Sequence, residues 1–212
     1  MTSELASLVV TLGLGGALAF VGSVPMTGPL ALLVLDRLIA AQRRSALWIG
    51  FAGALVESVI AALVAGWLPL VLRHSGGIVL LARLSGSLVL FAVGMTLALR
   101  PELLASIKTE RKRQSLSAGF LTTALNPTLL ATWTITVIAL HDAGLVEGGA
   151  QSGLAFGVGV LAGSLAWFVL LAAVSRRVPV KRLVRHRGTL GRAIGIVLAL
   201  LGALLFARAL SS

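Results

Sequence analysis

Residues 45–72 read SALWIGFAGALVESVIAALVAGWLPLVL, twenty-eight residues with a single charge, at Glu57. A helix of that length rises about 40 Å, and the hydrocarbon core of a bilayer is about 30 Å thick. The stretch is flanked by Arg43 and Arg44 on one side and Arg73 on the other. It therefore predicts a transmembrane helix with charged ends.

The rest of the chain repeats this pattern. Of 212 residues, 58% are hydrophobic and 12% charged, about half the charged fraction of a soluble domain. Uncharged runs over 5–35, 84–99, 114–140 and 148–175 reach or approach spanning length. The run 193–207 is shorter, but 189–209 spans if Arg192 and Arg208 snorkel to the two interfaces. The expected class is all-α integral membrane, a single transmembrane domain over 1–212 with six helices near 5–35, 45–72, 78–99, 115–140, 149–175 and 189–209. The connection 100–114 and the segment 176–188 are too short to be domains. Ser75-Gly76-Gly77 and residues 141–149 are the expected outer turns. The N-terminal run is too long for a signal-peptide core and has no Lys or Arg before Arg37, so it is expected to remain as a helix.

A net charge of +11 invites a nucleic-acid reading, but its distribution opposes one. With six spans, fifteen of the 18 basic residues fall in loops on one side. By the positive-inside rule that side is the cytoplasm, and both termini lie outside it. The expected location is the inner (cytoplasmic) membrane. Membrane lipids are implied partners, nucleic acid is not, and a homodimer is an arrangement the sequence leaves open.

Two spans are interrupted. The first contains Pro25-Met26-Thr27-Gly28-Pro29, and the fourth contains Asn126-Pro127. Proline suits the first helical position, where its missing N–H is not needed, and Asn126 and Gly28 are N-cap candidates. A plain proline kink is the alternative at each site taken alone. Together the two interruptions fall in corresponding positions of two three-helix halves, 1–99 and 115–212, that must enter the membrane from opposite sides. Such paired breaks in inverted repeats mark transporter sites near the midplane.

Glu57 is the acid well inside a span. Its helical neighbours Gly50, Gly53, Ala54 and Ala61 are small, so another helix can approach and shield it from lipid. Intramembrane acids face a bundle interior or a water path, and a carboxyl group that can take up a proton there is a candidate carrier. A structural acid, protonated or paired with Arg, is the alternative. Thr122 lies four residues before Asn126, and Thr128, Thr132 and Thr136 form a second stripe; back-bonding to their own helix would explain the threonines without function. Arg83 reads as an interfacial anchor, and Asp36 beside Arg37 as a solvated pair. The spacings Gly153/Gly157, Gly159/Gly163 and Gly191/Gly195 read as packing seams. Cysteine is absent, and His74, His141 and His186 sit in separate loops, so no metal site is expected.

These residues resemble the lysine-exporter (LysE/RhtB) family of amino-acid efflux proteins along nearly the whole chain. Gly28-Pro29 is similar to that family's Pro-Gly-Pro motif, with Thr27 in place of the first proline. Glu57 matches its second-span acid, and Arg83-Leu84-Ser85-Gly86 with Gly94 resembles its third-span pattern. Gly119-Phe120 with Leu125-Asn126-Pro127 resembles its fourth-span motif. Leu30, Val89 and Thr128 depart from the Asn, Tyr and Lys frequent there, so these motifs alone do not secure the substrate class. The resemblance implies a secondary transporter, not an enzyme, that exports an amino acid or similar small metabolite on the membrane potential or proton gradient. Gly28, Pro29, Thr122, Asn126 and Pro127 are then the substrate-binding candidates, and Glu57 the proton-coupling one. No Gly-rich Lys-Ser/Thr phosphate loop is present, and no cofactor is expected. A metal-cation exporter and an integral-membrane enzyme acting on lipids are the rival readings.

Overall fold

The computed structural model describes residues 2–23, 29–72, 76–99, 120, 123–124, 127–176 and 187–211. Among them the longer helices are α1 (Thr2–Ser23), α2 (Pro29–Ile39), α3 (Arg43–Leu72), α4 (Gly76–Leu99), α5 (Pro127–Asp142), α6 (Ala150–Val174) and α7 (Arg187–Ser211). The stretches Glu4–Ser23, Arg43–Val71 and Ala150–Val174 are long and apolar enough to cross a membrane; Leu129–Asp142 and Gly195–Leu210 are shorter apolar helices. The outward faces carry large apolar side chains such as Val9, Leu63, Trp67, Leu154 and Leu200. Such surfaces suit lipid and would drive association in water. The chain is a multi-pass membrane protein.

The first span continues past its expected end at 35, through Asp36 and Arg37 to Ile39. Charge does not stop a helix that has already left the bilayer; the chain turns where Ala41 adopts a positive φ of 58°. There Arg37 Nη1 donates to Gln42 Oε1 at 2.7 Å.

Small residues set the packing. α6 lies between α1 and α3, and its glycines face both. Gly153 and Gly157 meet Gly66, Ala62 and Ser58 of α3, so these helices run antiparallel. Gly159 and Gly163 meet Leu12 and Gly16 of α1, and Phe20 stacks edge-on against Trp167 at 5.6 Å, so these run parallel. α4 and α7 close in the same manner, Gly94 against Ala199 and Gly202 against Phe91. Of the Gly191/Gly195 pair, Gly195 supplies the carbonyl that faces Gly94.

Two apolar clusters lie along α3. One joins Leu33, Val34, Leu35 and Leu38 of α2 to Ala46, Ile49 and Ala54 of α3 and Phe168, Leu171 and Ala172 of α6. The other joins Ala19, Ala61, Ala65, Trp133, Val137, Val146, Phe156 and Val160. Beyond the second cluster the chain turns through residues 143–149. Gly149 donates its N–H to the Gly66 carbonyl at 2.9 Å, and the His141 Nδ1–H donates to the Val146 carbonyl at 2.9 Å. Gly148 has φ 85°, and a Cβ there would press on Pro69. This turn ties the end of α5 and the start of α6 to α3.

Candidate functional site

Glu57 lies midway along α3, between the two apolar clusters. Its small neighbours Gly50, Gly53, Ala54 and Ala61 are all buried, which is what lets α2 and α6 close on this face. A Cβ on Gly50 would meet the Phe168 ring, and one on Gly53 the Leu30 side chain. The carboxyl group is partly buried and accepts a hydrogen bond from Ser164 Oγ of α6 at 3.0 Å.

Ser164 is fully buried, and its hydroxyl behaves unlike others in these helices. Ser23, Ser58, Ser85, Ser87, Thr96, Thr134 and Ser175 each donate to a carbonyl three or four residues back in their own helix. Ser164 reaches across to another helix, 107 residues away in the chain. A second neutral donor faces the same carboxyl group: the Trp133 indole of α5. It does not reach hydrogen-bond geometry, and its buried Nε1 has no partner among the described residues. Trp167, three residues after Ser164 and turned toward α1, also has a buried Nε1 without a partner among them.

The sequence candidates divide into those the structure describes and those it does not. Pro29 opens α2, and Leu30 next to it lies against Gly53, one turn before Glu57. The start of α2 and the acid are therefore close neighbours. Pro127 opens α5, less than two turns before Trp133. Gly28, Thr122 and Asn126 lie outside the described residues. In the threonine stripe, Thr132 is exposed and Thr136 half-buried. Ser164 and Trp133 were not legible as site residues. A serine beside a glycine seam reads as packing, and a tryptophan in an apolar helix reads as core. Only the tertiary contact with Glu57 distinguishes them.

The chain matches the family model of LysE type translocators over residues 20–208. It belongs to that family. No curated protein and no solved structure matches it. The LysE type translocators are transporters and not enzymes, so the protein is a membrane efflux translocator with a small-molecule substrate. Glu57, Ser164 and the starts of α2 and α5 all lie inside the matched region.

Proposed function

We propose that this translocator exports an amino acid or similar small metabolite in exchange for protons entering the cell, with Glu57 as the exchanging group. The observation that carries the reading is the Glu57–Ser164 bond: a carboxyl group midway along a spanning helix, held by a neutral donor from a second helix. An ammonium group and a proton can each neutralise that carboxylate, and they compete for it. Proton entry from the outside then displaces cargo there, and loss of the proton inside frees the acid for the next cargo. The N-terminus of α2, one turn away, offers free backbone N–H groups and a positive dipole end to an anionic group. Gly28, Pro29, Thr122, Asn126 and Pro127 complete the proposed substrate site at the two helix starts.

The proposed architecture is six spans in two inverted halves, 1–99 and 115–212, with 100–114 as their cytoplasmic connection. Exchanging the halves maps α2 onto α5, each opened by a proline of the paired breaks, α3 onto α6 and α4 onto α7. The antiparallel pairs α3–α6 and α4–α7 then map onto themselves. The contacts of α2 with α3, of α3 with α5 and of α4 with α5 have no counterparts under this exchange among the main contacts of the described residues. Rocking one half against the other would open the two apolar clusters in alternation.

Inverted membrane vesicles test the transport reading. Their lumen corresponds to the outside, so an acidic lumen should drive uptake of a transported amino acid, and collapsing the gradient should stop it. Uptake indifferent to the gradient would remove the coupling, and uptake of no amino acid would remove the substrate class.

Orientation has its own expected result. The proposal puts the protein in the inner membrane with both termini outside, because fifteen of the 18 basic residues then fall on the cytoplasmic side. A cysteine at Ser212 should react with an impermeant reagent in intact cells, and one at Lys181 should not. The reverse pattern overturns this topology.

A further inference from the structure

Buried polar groups are rarely left without partners, and each exception calls for an explanation. The Trp133 side chain is 4% exposed, and its Nε1 has no hydrogen-bond partner among the described residues. Its ring is held edge-on to Phe156 at 5.5 Å. It lies in the cluster with Ala61 and Val160, each one helical turn from Glu57 and Ser164 respectively. A phenylalanine would fill most of that apolar space without burying an unpaired donor. Ser164 supplies the hydrogen bond to Glu57 Oε2.

The site therefore sets an acceptor with negative character, Glu57, beside a neutral donor, Trp133, that faces it without reaching hydrogen-bond geometry. A molecule complementary to that arrangement carries an ammonium group beside an acceptor oxygen, as an α-amino acid does. An amine without a carboxylate would leave the indole N–H unpaired. An acid without an ammonium would bring like charge against Glu57. We propose, on the basis of the transport reading above, that the Trp133 N–H donates to the carboxylate of an amino-acid cargo whose ammonium faces Glu57. Trp133 is then the residue that selects amino acids over the corresponding amines.

Trp133→Phe keeps an aromatic ring facing Phe156, gives up part of the indole volume and deletes the donor. The full-length protein, purified in detergent, is titrated with the common L-amino acids and followed by thermal stabilisation. Each one that stabilises is compared with its decarboxylated amine. Loss of one hydrogen bond to a charged acceptor should raise the Kd for the amino acid about tenfold in the variant. The Kd for the amine should be the same in both proteins. In inverted vesicles KM should rise to the same extent, with the maximal rate and the dependence on lumen pH unchanged. An unaltered Kd for the amino acid overturns the proposal. So does an equal loss for acid and amine, or a displaced pH profile at constant KM, since Trp133 would then act by holding Glu57. If Trp133→Phe fails to fold, the wild-type protein still decides: an amine bound as tightly as its amino acid overturns the assignment. Amino-acid binding without vesicle uptake would sink the transport reading and leave this one standing. Uptake with unchanged KM in the variant would do the opposite.

Discussion

Glu57→Gln should fold and express like the wild type, and its uptake into inverted vesicles should lose all response to an acidic lumen. Glutamine matches the protonated acid in volume and keeps an oxygen that can accept from Ser164 Oγ, 3.0 Å away in the wild type. The variant is therefore expected to change stability by no more than about 1 kcal/mol, the net worth of one hydrogen bond. What it cannot do is exchange a proton or oppose an ammonium charge. Gradient-driven uptake should fall to the level of vesicles lacking the protein, at every lumen pH. In the wild type uptake should increase as the lumen is acidified, because protonation from that side releases cargo there. A purely structural Glu57 predicts otherwise: Gln would leave both rate and pH profile unchanged. An acid in a buried ion pair predicts a third result, destabilisation by about 3–5 kcal/mol when one partner loses its charge. The groups facing Glu57 among the described residues are the Ser164 hydroxyl and the Trp133 indole, both neutral, which favours the first outcome.

Helices were legible because lipid imposes a simple rule: backbone groups must be satisfied within the segment, so an apolar run of spanning length is a helix. The span expected over 45–72 is Arg43–Leu72, and that over 149–175 is Ala150–Val174. Proline marked helix starts for an equally local reason, and Pro29 and Pro127 each open a helix. Glu57 stood out because a charge inside a span is costly wherever its partners are. Those partners were invisible for the complementary reason. A serine hydroxyl in a helix can always return to its own carbonyls, so nothing local distinguishes Ser164 from Ser58 or Ser175. The indole of Trp133 is as apolar in sequence as Trp48 or Trp67, which lie exposed on the lipid face. Which hydroxyl or indole reaches the acid depends on how α3, α5 and α6 are brought together. The glycine spacings announced that helices would pack closely without naming which would meet. α6 divides its glycines between two neighbours, and that division follows from the three-dimensional arrangement alone.

That division underlies the largest structural effect expected. Gly163→Val should leave little folded protein, because α1 and α6 are in backbone contact at this point. A Cβ on Gly163 would run into the carbonyl oxygen of Gly16, with the Gly16 carbonyl carbon at 2.8 Å and its Cα at 3.0 Å. No flexible side chain stands between the helices to give way, so α1 as a whole would have to move off. Membrane helices associate through this kind of close contact, since lipid provides no hydrophobic drive to bring them together. Overpacking a well-fitted interior costs about 1–3 kcal/mol where side chains can adjust. Here the cost should lie at or above the top of that range, about 3 kcal/mol. Separation of α1 from α6 would also pull Phe20 from Trp167 and Gly15 from Phe156, and Phe156 is the residue that fixes the Trp133 ring. Gly13 provides the control. It lies on the same helix, exposed, and a methyl group there would find nothing within 4 Å, so Gly13→Ala should be neutral or slightly stabilising. Thermal unfolding of the purified variants, read beside their expression level, measures both. A Gly163→Val protein with wild-type melting behaviour would mean that α1 does not seat against α6 at Gly16.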